Sequence, residues 1–131
     1  MKNSVLIFSG LALIVASSCN RTENDNTAGK GGNATINAIP KHHNEYKNIV
    51  DGKVYIAYNV QDLPAKYDDS VACSFIGGAP TATFSGLKPG KYYLLGKGFD
   101  TSIKQDVKGG TPYTISQETT LELTIPVTET H

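Results

Sequence analysis

From Asn33 onward, apolar residues recur at every second position, and no stretch carries them at helical spacing. Ala34, Ile36 and Ala38 alternate with Thr35 and Asn37. Val54, Ile56, Tyr58 and Val60 alternate with Tyr55, Ala57 and Asn59, and Leu121, Leu123, Ile125 and Val127 alternate with Glu122 and Thr124. A period of two sends neighbouring side chains to opposite faces of a strand, so each run offers one apolar face to a core. Val71, Cys73 and Phe75 predict a third strand, and residues 81–84 and 113–115 add two short ones. Residues 91–98 are apolar on both faces over their first half, as in a central strand. Asp51-Gly52, Gly77-Gly78, Lys88-Pro89-Gly90 and Gly109-Gly110 read as turns, and Pro40 as the end of the first run. About seven strands in about 100 residues predict an all-β chain, with one Ig-like antiparallel β-sandwich over residues 33–131.

The N-terminus sets the expected location. Met1-Lys2-Asn3 is a short basic start, residues 5–15 are apolar or small, and Ala16-Ser17-Ser18 is a small-residue gate. That run is too short to span a bilayer, which needs about 20 apolar residues. The order is that of a cleaved secretory signal over residues 1–18. The cysteine that ends the gate, Cys19, makes it resemble a bacterial lipoprotein signal, which implies lipidation at Cys19 and a membrane partner reached through the lipid. Each buried CH₂ of such a chain contributes about 0.8 kcal/mol to anchoring. Residues 19–32 then read as the lipidated cysteine and a polar, glycine-bearing tether with too little apolar surface to fold. Glu23 and Asp25 resemble surface-export signals of Bacteroidota lipoproteins, and Asn20 is not the aspartate of an inner-membrane retention signal. The expected location is the outer membrane.

Composition removes several function classes. Twelve basic and twelve acidic residues balance, and removal of Lys2 with the signal leaves one net negative charge. No basic run is present to hold nucleic acid, and the only arginine, Arg21, falls in the tether. With Cys19 committed to lipid, Cys73 is a lone thiol, placed by its alternation with Val71 and Phe75 as a small core residue. No nucleophile elbow, HExxH or phosphate-cradling loop occurs, so no enzyme is expected.

Two clusters could bind a ligand. His42 and His43 form the one obvious pair of metal ligands; adjacent strand residues face opposite ways, so both reach one ion only from a loop, which Pro40 and Asn44-Glu45 make plausible. His131 stands at the end of the sequence. Asp68 and Asp69, with Asp62 nearby, offer hard oxygen ligands of the kind calcium takes, without the spacing of a calcium loop. Asp69-Ser70-Val71 resembles the acceptor for O-glycosylation in Bacteroidota, with Ser70 as the modified residue. Tyr55, alternating away from Val54 and Ile56, is the tyrosine expected on the surface.

Residues 83–98, TFSGLKPGKYYLLGKG, resemble prealbumin-like sandwiches: carboxypeptidase regulatory-like domains and the B-type repeats of surface adhesins. The resemblance places Phe84, Leu87 and Tyr92 at core and corner positions, and Gly86 and Gly90 in turns. Residues 48–56 look like the second-strand entry of the same domains, and PKHH, YDDS and GLKPGKYYLLGKGFD resemble small Bacteroidota lipoproteins. The resemblance implies a non-catalytic binding, adhesion or assembly module with no cofactor, meeting an envelope or surface protein or a glycan. The competing expectation is a metal- or small-ligand-binding envelope protein that uses the loop of His42 and His43.

Overall fold

A computed structural model describes residues 27–131; Cys19, the signal and most of the expected tether fall outside them. Eight strands follow one another: β1 (Lys30–His42), β2 (Ile49–Tyr58), β3 (Asp69–Ala72), β4 (Ser74–Ile76), β5 (Ala79–Leu87), β6 (Gly90–Asp100), β7 (Gln105–Ile115) and β8 (Thr120–Glu129). They make one sheet in the order β3-β2-β6-β7-β8-β1-β5-β4, nearly closed into a barrel-like shape. The all-β class is as expected, whereas eight strands replace the expected seven.

The extra strand arises at Cys73. The run read as one strand is divided there: β3 pairs with β2, and β4 pairs with β5 at the other edge of the sheet. Cys73 lies between them, its N–H donating to the carbonyl of Gly52 at 2.8 Å. Crossing between edges breaks the alternation, so Val71 and Cys73 pack against the core while Phe75 is 62% exposed. Burial pushes the Cys73 thiol up to about 11, which suits an unreactive packing role.

Three turn signals are used differently from the expectation. Pro40 does not end β1, which continues to His42 and pairs in parallel with β8 as far as His42 opposite Val127. Thr35 donates its N–H toward β8, so residues of the other parity, Pro40 among them, face β5. Pairing with β5 stops at Ala38, so the missing proline N–H deprives no partner. Asp51-Gly52 is a bulge inside β2, with Asp51 at φ 52°. Gly109-Gly110 lies within β7, opposite Gly96 and Leu95. A Cβ on Gly109 would sit 2.0 Å from the Pro126 carbonyl oxygen, so this pair serves close approach rather than reversal. Gly77-Gly78 is the expected reversal, with φ of 58° and 83°.

The predicted apolar faces meet in one core. Ala34, Ile36 and Ala38 pack with Val54 and Ile56, Phe84 and Leu87, Tyr92 and Leu94, and Ile125 and Val127. Each large aliphatic or aromatic side chain so buried contributes about 1.5–3 kcal/mol relative to exposure. Tyr92 is fully buried, and its hydroxyl accepts the Gly29 N–H at 2.9 Å and donates to the Lys88 carbonyl at 2.6 Å. These bonds fix the start of β1, so residues 30–32 of the expected tether belong to the folded domain.

Gly109→Ala is expected to destabilise the fold by roughly 1–3 kcal/mol through overpacking against backbone that cannot yield. Gly77→Ala, with open space around its Cβ position, is expected to lose only the roughly 1–2 kcal/mol of its left-handed backbone. Urea unfolding of both variants checks the order, and a Gly109→Ala chain as stable as the parent contradicts the close approach.

Candidate metal centre

The inward face of β1 runs Ala34, Ile36, Ala38, Pro40 and ends at His42, which is 4% exposed. On β6 the inward positions end at Asp100, also 4% exposed, and on β8 Ile125 and Val127 are followed by Glu129. Three strands therefore finish their apolar faces with a polar residue at one end of the barrel.

His42 Nδ1 lies 2.7 Å from Asp100 Oδ2. Asp100 Oδ1 in turn accepts the backbone N–H of Ser102 at 2.8 Å and the Ser102 hydroxyl. An ionised carboxylate only accepts, so the proton of this contact belongs to Nδ1 and the ring is held in one orientation. Nε2 then faces Glu129, with Oε1 at 3.3 Å, close enough for an ion pair but not aligned as a hydrogen bond. Nε2 is thus a fully buried polar atom without a hydrogen-bond partner, a state that ordinarily costs about 1–3 kcal/mol.

His43 completes the group. His42 and Glu45 exchange backbone hydrogen bonds of 2.8 and 2.9 Å, leaving His43 and Asn44 as a two-residue turn with φ of 49° and 64°. Two positive φ values are those of a type I′ turn, where Asn and Gly are the favoured residues and histidine is among the side chains that adopt positive φ more often than most. The turn brings the adjacent imidazoles together at 4.1 Å between centroids, which a continued strand would not allow. His43 is exposed, with Nε2 3.9 Å from Glu129 Oε1. One ligand atom from each of His42, His43 and Glu129 lies within 4.8 Å of the others, and this is the one such group among the described residues.

Two imidazoles and a carboxylate suit zinc and divalent copper or nickel. Bonds of about 2.0–2.1 Å put tetrahedral ligand atoms about 3.3 Å apart. The His42–Glu129 separation already has this value, and exposed His43 has room to move in. With an ion on Nε2, Asp100 behind His42 would make the carboxylate–histidine–metal arrangement that fixes the tautomer and strengthens the ligand.

The electrostatics follow from the same contacts. The hydrogen bond to Asp100, and then Glu129, raise the pKa of His42 despite its burial. The Ser102 hydroxyl, and then His42, hold Asp100 down at about 2. Its own backbone N–H and then His42 lower Glu129.

The aspartates stay apart from this centre. Asp68 Oδ2 accepts the Tyr58 N–H at 2.7 Å, and Asp69 Oδ1 accepts the Ser70 N–H at 2.8 Å. Asp69 Oδ2 also lies 4.0 Å from Lys30 at the start of β1, the end of that strand opposite His42. Asp62 is exposed in the connection to β3, and no third ligand joins these carboxylates among the described residues. Ser70 is half-buried in β3 opposite Tyr55. Tyr55 faces outward as expected but is half-buried, with the Lys53 and Lys97 ammonium groups 5.3 and 5.2 Å from its ring centre. Asp100 and Glu129 went unread in the sequence, although extending each strand's alternation by two residues places both inward.

In metal-free protein, the raised His42 pKa makes its contribution to stability complete below about pH 6.5, its ordinary value, and lost as pH rises through the raised value. Asp100, held at about 2, contributes in full above its ordinary carboxylate range, and that contribution is lost progressively as pH falls through that range to the lowered value. Denaturant unfolding with chelator is therefore expected to show stability falling from pH 6 to pH 9, a slope that Asp100→Asn flattens. An identical slope in that variant contradicts the pairing.

Comparison with family models, curated proteins and solved structures gives no match for the chain.

Proposed function

We propose that this chain is a lipid-anchored, non-catalytic envelope protein whose site binds a divalent transition metal through His42, His43 and Glu129. The observation that carries the reading is the buried, unpartnered Nε2 of His42, oriented from behind by Asp100 and facing a carboxylate and a second imidazole. The anchor at Cys19, the outer-membrane location and the prealbumin-like sandwich are proposed on the sequence resemblances given above. No step of chemistry is assigned to the metal, and the role is one of binding.

Metal content of the purified, untagged full chain tests the site. One zinc or copper ion per chain is expected, bound more weakly as the pH falls because protons compete for His42. His42→Ala with His43→Ala is expected to abolish binding. His43→Asn is the sharper variant, because asparagine tolerates positive φ and keeps the turn while removing the ligand. A folded His43→Asn chain with undiminished metal content overturns the reading.

A second reading, the adhesion or assembly module, has its own support. β4 is an edge strand of three residues, and it carries Phe75 and Ile76 at 62% and 57% exposure. An apolar free edge is a template for pairing with another chain. Crosslinking in the host is expected to give one dominant partner that Phe75→Lys removes; recovery of the protein alone excludes this use of the edge.

A further inference from the structure

The three ligand atoms described above leave a tetrahedral ion one position short, and the backbone beyond β8 indicates what fills it. β8 pairs with β7 through Lys108 opposite Thr128 and Val107 opposite Glu129. The ladder does not stop there, because Thr130 donates its N–H to the Asp106 carbonyl at 3.1 Å and keeps the same register. One further residue in that register sets His131 opposite Gln105, whose partner on β6 is Asp100.

His131 thus enters the row of residues that contains the orienting carboxylate of the centre, two rows from Glu129. Its parity is also that of Glu129, since residues two apart on an extended chain share a face. The register of Glu129-Thr130-His131 therefore puts both residues on one face of the chain at the end of the barrel where His42 and His43 stand; His131 lies outside the group of ligand atoms within 4.8 Å of one another and has to swing in to join it. Exposure of His131 leaves its ring free to turn toward an ion. Imidazole is also the ligand that matches the other two nitrogen donors.

We infer that His131 is the fourth ligand of the metal centre, giving a set of three imidazoles and one carboxylate, an inference that rests on the proposed metal reading. The ion then ties the segment after β8 to the end of β1, and His131 covers the face of the site that is open to solvent.

The test uses the untagged full chain loaded with divalent copper for spin resonance and with zinc for competition against a chelator of known affinity. The parent is expected to show three nitrogen ligands, and His131→Ala two. Loss of even an outer-sphere partner weakens metal sites by about 10–100-fold, so His131→Ala is expected to weaken zinc binding at least about tenfold. Moving the histidine one residue back, in Thr130→His combined with His131→Ala, puts the ring on the opposite face and is expected to restore neither property. His131→Ala with parental affinity and nitrogen count overturns the inference while leaving a three-ligand site. No metal bound by the parent overturns the inference together with the reading beneath it. Because His131 is exposed and beyond the last strand, the variant folds as the parent does, and thermal unfolding without metal verifies this.

Discussion

Parallel pairing of the first strand with the last organises this molecule. β1 lies between β5 and β8, and its ladder with β8 runs from Thr35 opposite Thr120 to His42 opposite Val127. Since β7 is antiparallel to both β8 and β6, β1, β8 and β6 all run in one direction. Strands that run together also end together. His42, Glu129 and Asp100 meet because of direction and register, although they are far apart in the sequence.

The core and the centre are continuous. Along each of these strands small and aliphatic residues fill the interior until the last inward position, where water comes within reach and a polar group takes over. Asp100 is satisfied by Ser102 and His42, so its charge is compensated where it is buried. Glu129 has no comparable cage and remains partly exposed, facing the one buried side-chain nitrogen without a partner among the described residues. A proton or a metal ion can stand between that nitrogen and the carboxylate, and the two compete for a single position.

Much of the fold was legible because a half-buried strand writes its period into the sequence. Val54 and Ile56, and Ile125 and Val127, are all inward, as their alternation requires. Illegible features were those in which a local signal has two physical uses. Gly109-Gly110 looks like a turn, but here it makes room for the backbone at Pro126 and the Tyr93 ring. Pro40 looks like a terminator, but its missing donor faces a side on which pairing with the neighbouring strand has already stopped. His42 and His43 were legible as a pair, but His42 belongs to β1 and the turn that joins it to His43 depends on positive φ at a histidine. Asp100 and Glu129 carry no motif at all; only their parity marks them.

The β1–β8 pairing also fixes when the structure can be completed. β1 cannot gain its second neighbour until β8 exists, so in a chain emerging from the ribosome the sheet stays open beside β1 until residues 120–129 have been made. Contacts between such distant segments form slowly, because the entropy of closing the intervening chain opposes them. Loss of β8 therefore leaves β1 with β5 as its one hydrogen-bonded neighbour, and opens the sheet in its middle rather than trimming its edge.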